Sequence, residues 1–209
     1  MAKLLYLESS PRKERSASIA VARQFLDAYQ AKHPQDSVET FDLWKANLPP
    51  FNGFVLEAKY AVLNGQPHTS EQANAWKAVV ALADHFKSAD KYLFSLPMWN
   101  FGIPYILKQY IDLIVQPGLT FSYTPEKGYE GLVIGRPAVA IYARGGAYPA
   151  GTEAAGYDKQ SDYLRHILGF IGITDLKQIF VEPTLAGPGA KDKAVAAARA
   201  EASKLAPVF

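Results

Sequence analysis

Cysteine is absent from all 209 residues, which removes disulfides, thiolate nucleophiles, iron–sulfur clusters and cysteine-bound zinc together. The absence is compatible with a reducing cytosol, and a cytoplasmic protein is the expectation. Histidine is scarce: His33, His68, His85 and His166 fall in separate helical or loop contexts without metal-ligand spacing, so no metal site is expected. Neither sign of charge dominates, with 22 Lys and Arg against 20 Asp and Glu for a net +2. No basic run or stripe is visible, which argues against nucleic acid as the main partner. No apolar run approaches the roughly 18 residues of a membrane span. Met1 to Leu7, with one lysine and a short apolar run, is too brief for a secretory leader. Neither a Walker loop nor the G-x-G-x-x-G dinucleotide fingerprint follows the first apolar segment. No repeat, low-complexity tract or linker interrupts the chain, so residues 1–209 are expected to form a single domain.

What is present is a core-forming chain, 49% apolar, in which strand and helix patterns alternate. Lys3–Glu8 reads as a first strand, broken by Ser9, Ser10 and Pro11, and Ser16–Lys32 as a helix with Ile19, Val21, Ala22, Phe25 and Tyr29 along one side. Val38–Leu43 alternates like a second strand. Trp44–Gly65 is mixed, with a short helix over Phe54–Leu63, and Thr69 or Ser70 can cap a helix from Glu71 to Lys87. Pro137–Tyr142 and Lys177–Val181 read as further strands, Tyr157–Phe170 and Lys191–Leu205 as helices. Gln116–Gly135 is a long connection rich in aromatics, expected to cover a site, a partner subunit, or both. Five strand–helix units predict a parallel sheet with helices on both faces. The fold class is α/β, a flavodoxin-like doubly wound sheet of five strands in the order 2-1-3-4-5.

The stretch around which this pattern turns is Lys91–Tyr105. Tyr92, Leu93, Phe94 and Leu96 read as a strand buried on both faces, and Pro97 stops it. Met98, Trp99, Asn100, Phe101 and Gly102 then put two aromatics and a thioether where turns usually carry small polar residues. Such a segment either folds onto the core or a subunit contact, or forms a platform for a flat aromatic ligand. In open α/β sheets ligands bind at the carboxyl ends of the strands. At the end of the first strand, Ser9, Ser10, Ser16 and Ser18 are interleaved with Arg12, Lys13 and Arg15. Serines at a helix start are commonly caps; they also suit a phosphate held by hydroxyls, backbone N–H groups and the helix dipole. At the end of the fourth strand, Gly145 and Gly146 after Ala143 and Arg144 allow close backbone approach. One phosphate site, one aromatic platform and one close-approach turn fit a flavin mononucleotide.

These motifs carry a family resemblance along nearly the whole chain: Ser10 with Ser16-Ala17-Ser18, Pro97-Met98-Trp99-Asn100-Phe101-Gly102-Ile103-Pro104, Ala143-Arg144-Gly145-Gly146 and Gly169-Phe170-Ile171-Gly172. The chain resembles the FMN-dependent NADH:quinone oxidoreductases known as azoreductases. The resemblance implies a homodimer with FMN as cofactor, NADH or NADPH as donor, and a quinone or azo compound as acceptor. It implies that Ser10, Arg12 and Ser16, Ala17 and Ser18 surround the phosphate. Pro97, Met98, Trp99, Asn100, Phe101 and Gly102 would hold the isoalloxazine, largely through backbone, and Ala143, Arg144, Gly145 and Gly146 would meet its pyrimidine end. Many members carry serine where this chain has Ala143. Phe121 and Phe170 resemble the aromatics that line the family's substrate pocket, with Phe121 expected from the other subunit.

No catalytic side chain is expected, because flavin supplies the hydride chemistry and protein supplies position and electrostatics. A donor and an acceptor taking turns at one face would give two-electron ping-pong turnover. A flavodoxin-like electron carrier or redox-sensing module is the competing class, and a hydrolase using the serine loop lacks a plausible base.

Overall fold

The computed structural model describes residues 1–209. The strands, in chain order, are β1 (Lys3–Glu8), β2 (Ser37–Asp42), β3 (Lys91–Pro97), β4 (Phe121–Thr124), β5 (Gly128–Gly131), β6 (Ala138–Ala143) and β7 (Leu176–Val181). Five of them form one parallel sheet in the order β2-β1-β3-β6-β7, which is the expected 2-1-3-4-5 order once β4 and β5 are set aside. Register follows from this order: Leu5 lies beside Tyr92, Phe94 beside Ala140, and Tyr142 beside Phe180. Tyr92 to Leu96 is buried throughout, as the apolar run required, whereas edge strand β2 has no buried residue.

The helices are α1 (Ala17–Lys32), α2 (Gly53–Leu63), α3 (Ser70–Lys87), α4 (Tyr105–Ile114), α5 (Lys159–Phe170) and α6 (Ala190–Leu205). Alternation along each strand divides the core in two. Leu4, Tyr6, Leu93, Ile141 and Val181 face α1 and α6, meeting Phe25, Tyr29 and the Ala194-Ala198-Ala202 face. Leu5, Leu7, Phe94, Ala140 and Tyr142 face α3, α4 and α5, meeting Phe86, Tyr110 and Leu164. The helix starts follow local chemistry. Thr69 and Gln72 close a capping box at α3, while Asn52 and Asp158 cap α2 and α5. The Asp158 cap delays α5 to Lys159, and Tyr157, read as its first residue, lies instead at the end of a 3₁₀ turn, Glu153–Tyr157. Pro104 stands at the cap position of α4, one residue before its first turn. No helix is long and apolar enough to cross a membrane.

The long connection between α4 and β6 is structured. β4 and β5 pair as an antiparallel hairpin, Phe121 opposite Gly131 and Tyr123 opposite Tyr129. The hairpin docks on the end of α5, where the Val133 N–H donates to the Ile171 carbonyl at 2.8 Å. A Cβ at residue 131 would stand 2.3 Å from the Gly172 nitrogen. The Gly169-Phe170-Ile171-Gly172 motif therefore serves as a landing surface for a bare backbone.

Candidate functional site

The β1–α1 segment is built so that hydroxyls surround a helix start. Ser9 ties it to the central strand, both its N–H and its hydroxyl donating to the Ser95 carbonyl. Ser16 has extended backbone and caps α1, accepting from the Ile19 N–H at 3.4 Å. Ser18, fully buried behind it, shares a 3.2 Å hydroxyl contact with Ser16. Lys13 turns away, its ammonium held by Glu8 and Asp42.

After β3 the chain makes a two-residue turn. The Trp99 N–H donates to the Gly102 carbonyl at 3.0 Å and the Gly102 N–H returns a bond at 2.9 Å. Asn100 and Phe101 between them have φ of 47° and 66°, the left-handed pair that two-residue hairpins use. Asparagine tolerates this region. Phenylalanine is held there at a cost of roughly 1–3 kcal/mol, with its ring packed on Tyr157 at 5.2 Å. The Met98 N–H donates to the Ala143 carbonyl at 2.8 Å, joining this loop to the end of β6. Trp99 packs against Trp44 and Tyr105, each 6.0 Å away between ring centres. The Trp44 indole N–H donates to the Ser9 carbonyl at 2.9 Å, so one aromatic cluster locks the β1 and β3 loops together. Sequence reasoning did not single out Trp44.

The three strand ends meet in one cleft of about 230 Å³. Ser10, Arg12, Ser16 and Ala17 line one side, Pro97, Met98 and Trp99 the second, and Ala143 with Gly145 the third. Arg15, Thr184, Leu185 and Lys191 complete the wall. Thr184 and Leu185 were missed because Pro-Thr-Leu-Ala-Gly-Pro-Gly reads as an unremarked loop, and Lys191 because it reads as the surface start of a closing helix. The wall carries three cationic side chains and no carboxylate, so the cleft draws anions. Gly145 lies against the exposed Leu185 side chain, whose tip would have to swing aside for a Cβ at 145, and the Leu185 N–H donates to the Gly145 carbonyl at 3.0 Å.

Several expected residues lie elsewhere. The Arg144 side chain is only 1% exposed and turns away from the cleft. Its guanidinium donates to Asp158 at 2.7 Å, Gln160 at 3.0 Å and Glu182 at 3.3 Å, with the Phe180 ring 4.4 Å off its face. Burial pushes the Asp158 carboxyl up, but the Ser161 hydroxyl and N–H, together with Arg144, outweigh burial and hold it below its ordinary value. Gly146 and Ser18 do not line the cleft. Asn100 and Gly102 open onto a second groove of about 760 Å³, which shares Trp99 and is bounded by Tyr105, Lys108 and Tyr163. Phe101 lines neither cavity and is 46% exposed. Phe121 and Phe170 contact each other, with ring centres 4.8 Å apart, and pack with Tyr129. They border neither the cleft nor the Trp99 groove of their own chain.

Comparison with known proteins places the chain in a family. A family model described as a flavodoxin-like fold matches residues 2–206. The chain is 54% identical over 187 residues to the FMN-dependent NADH:quinone oxidoreductase of Nitratidesulfovibrio vulgaris (strain DP4), covering 90% of this chain and 89% of that protein. It is 47% identical over 206 residues to the protein of the same name from Desulfotalea psychrophila, covering 99% and 97%. Among solved structures, an FMN-dependent NADH-azoreductase from Bacillus anthracis str. Ames Ancestor in complex with FMN superposes with a TM-score of 0.87 at 31% identity, covering 99% of this chain and all 100% of that one.

Proposed function

We propose, from the premise that the chain belongs to the flavodoxin-like family of FMN-dependent NADH:quinone oxidoreductases and azoreductases, that the cleft joining β1, β3 and β6 is its FMN site. The protein is an FMN-dependent oxidoreductase that uses NADH to reduce quinones and azo compounds. The observation that carries the site assignment is the cleft wall itself: two serine hydroxyls, a helix start, three cations and no acid. It suits a phosphate monoester, while the adjoining Met98–Gly102 turn suits a flat ring. Bound flavin supplies the two-electron chemistry, and no protein acid or base is assigned to it. The protein's part is to orient. Ser10, Arg12, Ser16 and Ala17 hold the phosphate, the backbone of Met98 to Gly102 flanks the ring, and Ala143 and Gly145 approach its pyrimidine edge. Ser18 and Arg144 act from behind, by supporting Ser16 and the Ala143–Gly146 turn.

The reading extends to a homodimer. Tyr60 and Leu63 on α2, and Tyr123, Tyr129 and Ile134 in and beside the hairpin, are all more than 36% exposed, which leaves large apolar side chains open on both of these segments. Phe121 and Phe170 do not cover the Trp99 turn of their own chain, and a second copy would bring such a pair to it. Light scattering should report a dimer at micromolar concentration; a fully active monomer would contradict this. The purified protein should be yellow, release FMN on denaturation, and oxidise NADH when a quinone is supplied. A colourless protein that takes up no FMN on titration would refute the assignment.

A further inference from the structure

We propose that Lys191, from the first turn of α6, is a phosphate anchor of the cleft; this rests on the FMN reading above and adds a residue to it. Arg12, Arg15 and Lys191 share the wall of a space of about 230 Å³ that no carboxylate enters. The nearby Lys13 is already neutralised by Glu8 and Asp42. Lys191 has no such partner: its ammonium makes one long contact, 3.4 Å, to the neutral Arg15 carbonyl. Three like charges around one small space repel one another, and a dianion between them removes that repulsion. A phosphate monoester carries about −1.5 to −2 at neutral pH.

The base of this lysine is fixed while its tip is free. The Thr184 N–H donates to the Arg144 carbonyl at 2.9 Å and the Leu185 N–H to that of Gly145 at 3.0 Å, which sets the segment leading into α6. Ala194, Ala198 and Ala202 bury the helix beside α1. Lys191 itself is exposed, so its long stem can swing the ammonium from the Arg15 carbonyl onto a phosphate oxygen across from Ser10 and Ser16. The cleft is thereby closed by the end of the chain as well as by its beginning, and the ligand class selected is a flavin bearing a terminal phosphate.

The test compares the full-length chain with Lys191→Met, Lys191→Arg and Lys193→Met, the last an exposed residue of the same helix outside the cleft. FMN affinity is read from recovered flavin fluorescence on dilution of holoprotein, and riboflavin affinity by titration into flavin-stripped protein. K191M should weaken FMN about fivefold to tenfold, a charge-assisted contact discounted for exposure. It should leave riboflavin within about twofold of the parent protein and flatten the salt dependence of FMN binding. K191R should keep most of the affinity, and K193M all of it. Parent-like FMN affinity in K191M, or equal losses for FMN and riboflavin, would overturn the anchor while leaving the FMN site standing. A parent chain that binds neither flavin would overturn the underlying reading instead.

Discussion

Replacing Arg144 with methionine isolates what a buried cation does at this site. Methionine keeps the apolar stem but removes the guanidinium that lies over Phe180, and it leaves Asp158 and Glu182 without their counter-charge. The side chains are 1% exposed for Arg144, 12% for Asp158 and 17% for Glu182. Removing one partner of a buried pair costs about 3–5 kcal/mol. The two carboxylates keep some solvent, so the lower end, about 3 kcal/mol, is expected. For a domain of this size each kcal/mol moves the melting temperature by about 2–4 °C, so Arg144→Met should melt roughly 6–12 °C below the parent at pH 7. The pH dependence supplies a sharper check. Asp158 is held below its ordinary value in the folded chain. Its contribution is therefore complete above the unfolded value of about 3.9, and it is lost as pH falls through the lower folded value. Without Arg144 the carboxyl is held down less, and once protonated it no longer needs a cation. The gap between parent and variant should hold from pH 7 down to about 4 and narrow below that, where the variant's carboxyl takes up its proton before the parent's does. Circular-dichroism melts at pH 7, 4 and 3 measure this. A shift below about 2 °C at pH 7, or a gap that does not change with pH, would refute the reasoning. Arg144→Met with Asp158→Asn should recover part of the loss, since the two residues are in direct contact.

Ser16→Ala should lose both a helix cap, about 1 kcal/mol of stability, and a phosphate ligand, weakening FMN by roughly ten- to a hundredfold. Ser18→Ala, behind it, should weaken FMN less, and flavin titration of both variants orders them. Gly131→Ala places a methyl against the Ile171–Gly172 backbone. It should cost about 1–3 kcal/mol in thermal melts and disturb acceptor turnover while bound FMN per chain stays near the parent value. If donor and acceptor take turns in one space, double-reciprocal plots should be parallel. Phe170→Ala should then alter acceptor selectivity more than FMN retention, and intersecting lines would reject the shared space.

Much of the site could be read from local pattern. The serine-rich stretch before α1, the apolar loop after β3 and the glycine pair after β6 sit at strand ends because periodicity located the strands, and the parallel order then followed from chain connectivity. Local pattern was less informative where one residue type serves two environments. Arginine after a strand reads equally as a ligand contact or a buried tie; Asp158, Gln160 and Glu182 make Arg144 a tie, from 14 to 38 positions away. Phe101 carries no turn signature, since its left-handed backbone is imposed by paired Trp99 and Gly102 bonds and by packing on Tyr157.

By itself, then, the sequence determined which segments are strands and helices and which three of them end in unusual chemistry, because hydrophobic period, caps and breakers act within a few residues. Tertiary structure alone decided which side chains share the cleft. Lys191 reaches the Arg15 carbonyl across 176 positions, and Thr184 and Leu185 arrive with it. Such meetings depend on sheet order, helix packing and the direction each side chain leaves the backbone, none of which local spacing records.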